Sequence, residues 1–238
     1  MKVEMAEISL EMDMNFNELP MLKKSLSGEE YLSLRCVGCP LSCCGCRHGD
    51  VVVCSNKLIP EQDVIDYIVG HSSSIVSIGG GEPTVQPGVS EFLDRLKGAG
   101  KRIMISTSGM SRKAIVDIDD LVNHYYLDYK TVLPKYQYTT GIRKVIGIDV
   151  MENLINIDRS KLTAIIRANR RLHKDSDIIG MVEELKYFKV DRCVAIPHLG
   201  NSIDPSVTAD KAYKKGELEF MLSKFPFVEV ASRSEYEA

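Results

Sequence analysis

Five of the seven cysteines, Cys36, Cys39, Cys43, Cys44 and Cys46, fall within eleven residues, and only Cys54 and Cys193 lie elsewhere. An odd number of thiols crowded into one short stretch of a long chain does not suit a disulfide framework and points to thiolates held reduced for a metal. Cys39, Cys43 and Cys46 have the spacing C-x-x-x-C-x-x-C. Three thiolates fill three corners of a four-iron cluster and leave one iron open to a further ligand. Zinc is the rival, because Cys36-x-x-Cys39 and Cys43-x-x-Cys46 are also C-x-x-C pairs. Only three residues separate those pairs, whereas zinc ribbons separate theirs by about 12 to 20. A second constellation, Gly79-Gly80-Gly81-Glu82-Pro83, reads on its own as a tight turn or a phosphate loop.

The elements that must position these groups alternate between short apolar runs and segments of helical period, the pattern of strand-helix units around a mostly parallel sheet. The expected strands are 31–37, 74–78, 102–106, 125–130, 162–168 and 192–197. Between them, apolar residues recur at helical spacing, as in Val64, Ile65 and Ile68 after Pro60, in Val89, Phe92, Leu93 and Leu96 before Gly98, and in Ile178, Met181, Val182 and Leu185. A last helix over 209–222 and an apolar stretch over 225–231 complete six units. The expected division is an N-terminal arm or hairpin at 1–25 and one domain at 26–238.

With 238 residues, 44% of them hydrophobic and 26% charged, the composition is that of a folded globular protein rather than a disordered or low-complexity one. A formal charge of −3 lacks the basic excess that would by itself favour nucleic acid or an anionic membrane. No run approaches the roughly 18 apolar residues of a membrane helix, and the acid-dotted start MKVEMAEISLEMDMNF is not a secretory signal. The expected address is the cytosol.

The three-cysteine loop together with GGGEP at 79–83 resembles the radical S-adenosylmethionine (radical SAM) superfamily. Within it the chain is most similar to the glycyl-radical-enzyme activating proteins of the anaerobic ribonucleotide reductase and pyruvate formate-lyase type. Gly38-Cys39-Pro40-Leu41 resembles their G-C-[PN]-L opening, and Gly80 to Pro87 resembles their GGEP segment. Ser106-Thr107-Ser108-Gly109 stands where they carry D-T-N-G, and Asp128-Tyr129-Lys130 matches D-x-K. Arg167 falls on the fifth expected strand, and Pro197-His198-Leu199-Gly200 resembles the region after the sixth.

That resemblance implies an α/β fold of the partial (β/α)6 barrel type, with one 4Fe-4S cluster on Cys39, Cys43 and Cys46 and S-adenosylmethionine on its open iron. It implies reductive cleavage to methionine and a 5′-deoxyadenosyl radical, which abstracts hydrogen from a glycine of a partner glycyl-radical enzyme under anaerobic conditions. A flavodoxin- or ferredoxin-type protein would supply the electron. Gly80, Gly81 and Glu82 would form the methionyl site, where any side chain at the glycines obstructs the cofactor. Ser106, Thr107, Asp128, Arg167 and His198 would share the remaining cofactor contacts, and Lys130 would act on the substrate backbone. The plain alternative for Asp128 and Lys130, which share a face on a strand, is an ion pair at the barrel mouth. Two departures stand out: Gly45 replaces the aromatic residue that normally precedes the third cysteine and seats adenine, and Ser106 replaces the acid of D-T-N-G. The competing expectations are modification or cyclisation of a small molecule, as in the 7-carboxy-7-deazaguanine synthases, and a noncatalytic iron-sulfur or zinc module.

Overall fold

A computed structural model of the chain describes residues 14–24, 28–46, 58–141, 150–153, 157–200, 202 and 204–232. Eight strands form one sheet in sequential order: β1 (Met21–Lys24), β2 (Glu30–Cys36), β3 (Ile75–Gly80), β4 (Arg102–Thr107), β5 (His124–Asp128), β6 (Leu162–Ala168), β7 (Cys193–Pro197) and β8 (Val228–Val230). β1 is antiparallel to β2, and every later pairing is parallel. Parallel neighbours need crossovers, and these carry α1 (Glu61–Gly70), α2 (Val89–Gly98), α3 (Arg112–Ile118), α4 (Tyr136–Thr140), α5 (Asp175–Tyr187) and α6 (Lys215–Leu222). Strictly sequential order is the winding of a (β/α) barrel; a doubly wound sheet would reverse its order at a switch point. The sheet is not closed. The α/β fold of partial-barrel type and its six units stand as expected, with β1 and β8 added at the edges.

Alternation along the strands sorts side chains onto two faces. Leu32, Leu34, Val76, Ile78, Ile103, Ile105, Tyr125, Leu127, Ala164 and Ile166 are buried with the apolar stripes of α1, α2 and α5 in one large core. Each such Leu or Ile contributes about 1.5–3 kcal/mol on leaving water. On the other face Ile165, Val194, Ile196 and Ala231 form a small apolar cluster against Tyr126. Also on that face, Ser33, Arg35, Ser77, Met104, Ser106, Asp128 and Arg167 are only partly buried, while Thr163 is buried.

Local chemistry fixes the helix starts. Pro60 precedes α1, with Glu61 and Asp63 in its first turn. Ser111 caps α3 by accepting from Ala114 N at 3.4 Å. The expected helix over 209–222 is corrected: 209–211 is a 3-10 turn and α6 begins only at Lys215. Tyr213 is the reason, because its buried ring and its hydroxyl, which donates to Asp175 Oδ1 at 2.8 Å, hold extended chain between the two. The helix then starts where Glu217 Oε2 accepts from Lys214 N at 2.8 Å.

Met14 and Phe16 are core residues, and Phe16 bridges Cys36 and Ile59. The expected boundary between 25 and 26 lies outside the described residues, between β1 and β2. Cys54 lies outside them as well.

Candidate functional site

The cysteine loop leaves the carboxyl end of β2 and is bonded to three other elements. Beneath it, Gly38 O accepts from Glu82 N at 3.0 Å and from Gln86 Nε2 at 3.1 Å, while Cys36 O accepts from Gly81 N at 2.9 Å. On one flank, Ser42 N and Cys44 N donate to Thr140 O and Thr139 O at the end of α4, at 2.9 and 3.3 Å. On the other, Gly45 O accepts from His198 Nε2 at 2.9 Å and Cys44 O from Asp204 N at 3.2 Å. These polar groups would otherwise be partly buried without partners, so their pairing holds the loop in one conformation.

The glycines of the turn are required by the protein itself. Gly80 has φ +92°, and a Cβ there would stand 2.8 Å from Arg35 Cβ. A Cβ on Gly81 would fall 2.0 Å from Gly38 O. The expectation that a side chain at 81 meets the cofactor is therefore revised: it first meets the backbone next to Cys39.

Glu82 is buried at 2% exposure, and both carboxylate oxygens are occupied. Oε1 accepts from Thr84 Oγ1 at 2.6 Å and Thr107 Oγ1 at 2.5 Å, and Oε2 accepts from Ser108 N at 2.8 Å and Ser108 Oγ at 2.6 Å. Glu82 thus ties the end of β3 to the end of β4. Ser106 projects from the opposite face, where a Cβ on Gly79 would touch its Cβ at 3.4 Å. Removing the carboxylate leaves at least three donors without their acceptor, each worth about 1–3 kcal/mol when buried. Glu82→Ala should accordingly lower unfolding free energy by roughly 3 kcal/mol or more, and Glu82→Gln by less. Equilibrium denaturation tests this, and an alanine variant of unchanged midpoint would contradict it.

Asp128 ends β5 and pairs with Lys130; Arg167 Nε, on the neighbouring β6, lies 3.7 Å from Asp128 Oδ2. The ion pair considered for Asp128 and Lys130 is thus present, with Lys130 just beyond the strand. Burial pulls the Lys130 ammonium down, but Asp128 and the nearby Cys43 more than offset it, so its affinity for the proton is raised. His198, buried after β7, reaches the cysteine loop.

Cys43 is buried, while Cys39 and Cys46 are half-buried. Burial first of all, then Asp128 and the other two thiols, pushes Cys43 up to about 12, with Lys130 acting the other way. Burial also raises Cys39, on which Glu82 and Cys46 act in the same direction. Cys44 turns away, its Sγ 3.7 Å from Thr139 O, and Cys36 Sγ donates to Gly79 O at 3.2 Å. Among the described residues no three His, Cys, Asp or Glu side chains gather as ligands of one ion. Three soft thiol donors on one loop suit the chemistry of an iron-sulfur cluster.

Sequence reasoning did not single out Ser108, Asn169, Leu172, Thr139 or Thr140. Asn169 is fully buried, and its Nδ2 donates to His198 O at 2.9 Å and Thr208 O at 3.0 Å, joining the loops after β6 and β7. Leu172 fills the space beside Gly45, with Cδ1 2.7 Å from where a Cβ would stand. The signal for Ser108 lay in the hydroxyl run Ser106-Thr107-Ser108; the carbonyls of 139 and 140 act through backbone and carry none.

Three cysteines on one loop at the carboxyl end of a strand, above a parallel and sequentially wound sheet, suit an iron-sulfur protein of (β/α) type. The sequence matches the radical SAM superfamily over residues 34–192, more than half of the chain, and the chain belongs to that family. The family implies a 4Fe-4S cluster and S-adenosylmethionine. No curated protein matches. Among solved structures, Streptococcus suis SuiB bound to precursor peptide SuiA aligns with TM-score 0.64 at 16% identity, over 83% of this chain and 47% of that one. TYW1 with a lysine-pyruvate adduct bound aligns with TM-score 0.60 at 15% identity, over 81% and 72%. Methylornithine synthase (PylB) aligns with TM-score 0.58 at 12% identity, over 83% and 63%. The chain thus spans about half of SuiB. At these identities the likeness concerns the fold.

Proposed function

We propose that the chain is a reductive radical generator whose substrate is a glycine-containing loop of another protein. The observation that carries it is the union of cysteine loop and glycine turn at Gly38, where Glu82 N and Gln86 Nε2 meet one carbonyl beside Cys39. When bound, the cluster and S-adenosylmethionine supply one-electron cleavage of the sulfonium to methionine and a 5′-deoxyadenosyl radical. The chain's own part is to hold three thiolates on one side, present the turn and Ser106 with Asp128, Lys130 and Arg167 around them, and limit water between. Hydrogen abstraction from a glycine Cα would leave the unpaired electron on that glycine and release 5′-deoxyadenosine.

Two observations support a macromolecular substrate: the sheet is open, with much of its polar face partly exposed, and one structural neighbour holds a precursor peptide. None of the neighbours named above is a glycyl-radical activase. The partner glycyl-radical enzyme, the flavodoxin- or ferredoxin-type donor and the cytosolic setting therefore belong to this proposal. No helix among the described residues is long and apolar enough to cross a membrane. A small-molecule reading is favoured by the likeness to methylornithine synthase, and a tetrahydropterin that stimulates S-adenosylmethionine cleavage would select it.

The test is anaerobic incubation of reduced protein with S-adenosylmethionine and a candidate partner. The expected result is 5′-deoxyadenosine with a persistent glycyl doublet in electron paramagnetic resonance. Turnover of a free small molecule with no protein partner would overturn the proposal.

A further inference from the structure

Asn169 follows β6 directly and is fully buried. Its side-chain amide is paired at both ends: Nδ2 donates to His198 O at 2.9 Å and to Thr208 O at 3.0 Å, and Oδ1 accepts from Arg171 N at 2.9 Å. Its carbonyl closes the turn that follows, accepting from Leu172 N at 3.0 Å and His173 N at 2.8 Å. One residue thus holds the backbone of two histidines that come from different loops.

Both histidines are 3% exposed. His198 Nε2 donates to Gly45 O at 2.9 Å, between Cys43 and Cys46, with Ser202 Oγ 3.2 Å from the same nitrogen. His173 Nε2 donates to Lys130 O at 2.8 Å, two residues beyond Asp128. A carbonyl oxygen only accepts, so Nε2 carries a proton in each ring. The cysteine loop follows β2 and Lys130 follows β5, and behind each contact stands the same buried amide. With its donors and its acceptor all engaged, that amide has one orientation to offer both loops.

We infer that Asn169 is a positioning residue that fixes where the cysteine loop stands relative to Asp128 and Lys130, acting through His198 on one side and His173 on the other. Its effect reaches the chemistry only through these residues, and a displacement of about 1 Å can cost on the order of 10²-fold where reacting groups must be aligned. The inference rests on the proposal that Cys39, Cys43 and Cys46 hold a four-iron cluster that binds S-adenosylmethionine.

The experiment uses the full chain, anaerobically reconstituted with iron and sulfide. Two quantities are measured for each variant: iron and sulfide per chain, and the concentration of S-adenosylmethionine that half-converts the electron paramagnetic resonance spectrum of the dithionite-reduced cluster. His198→Phe, which keeps a ring but removes the donor, should lower iron and sulfide. His173→Phe should keep both and raise the half-converting concentration about tenfold, the effect of a small loss of alignment. His198→Gln and His173→Gln, whose amides donate at a reach close to that of Nε2, should each restore what the phenylalanine loses. Asn169→Asp keeps the shape and the bond to Arg171 N but removes both donors, and should show the two defects together. In the double variant with His173→Phe, the rise per loaded chain should fall short of the product of the single effects, because neighbours on one path are not independent.

An Asn169→Asp chain with wild-type iron and half-converting concentration overturns the inference, as does a double variant in which the effects simply multiply. If Asn169→Asp does not fold, the uncharged Asn169→Ser takes its place under the same criteria. Should neither fold, the histidine pairs decide: restoration by glutamine supports the inference, and phenylalanine variants that match wild type, or glutamines no better than phenylalanines, overturn it. A wild-type chain that takes up no iron and sulfide overturns the cluster assignment itself, an outcome distinct from a loaded wild type whose variants all behave alike.

Discussion

Replacing Cys39, Cys43 or Cys46 singly by alanine should abolish the visible charge-transfer absorbance of the reconstituted protein, whereas Cys36→Ala, Cys44→Ala and Cys193→Ala should keep it. The contrast follows from where each sulfur points. Cys44 is adjacent to a ligand in sequence, yet its Sγ faces Thr139 O, and its backbone is bonded on both sides. Cys36 faces Gly79 O, and Cys193 is sealed in the core, where burial strongly raises its thiol. A cluster with three thiolate ligands has no fourth protein ligand to fall back on, so losing one removes a third of its attachment. Iron and sulfide analysis beside the spectra checks the outcome; full retention of both after Cys43→Ala would sink the ligand assignment.

The second large effect is expected from a single methyl group. Gly81→Ala places Cβ 2.0 Å from Gly38 O and 2.8 Å from its carbonyl carbon. No rotamer relieves this contact, because the direction of Cβ is fixed by the backbone. Either β3 or the start of the cysteine loop must move, and such overpacking costs about 1–3 kcal/mol. Because Gly38 precedes Cys39, the same movement should lower iron retention. Gly98→Ala is the control: nothing lies within 4 Å of a Cβ there, at the last residue of α2, and the change should be neutral or stabilising by up to about 1 kcal/mol. Denaturation midpoints and iron content of the two variants test the comparison. A Gly81→Ala protein matching wild type in both would show that the turn is looser than its geometry requires.

Much of the frame was legible because buried parallel strands leave continuous apolar runs. Ile75-Val76, Ile103 to Ile105 and Leu162 to Ile166 could serve little else between amphipathic helices. β1 left no such trace: MLKK is four residues long, largely exposed, and paired on one side only. β8 has three residues, too few for periodicity to show. At the candidate site, the residue types and the spacing of the cysteines, of the glycine turn and of Asp128 with Lys130 were visible in the chain. How they are held was not. The contacts that fix the cysteine loop run mostly through backbone amides and carbonyls, at Gly38, Thr139, Thr140 and Asp204, and any residue type presents those groups. Glu82 shows the converse. A carboxylate in a turn could serve a ligand or the fold, and only the hydroxyls and amide gathered around it reveal the part it plays in the fold.

Gly45 and Leu172 divide one volume between two segments that lie more than a hundred residues apart in sequence. The apolar surface beside the third cysteine is therefore lent by the loop after β6, which Asn169 anchors to the loop after β7. A side chain at 45 has to displace the tip of Leu172, which a leucine can swing aside, so the size allowed at either position is set across the site by the other rather than within its own segment.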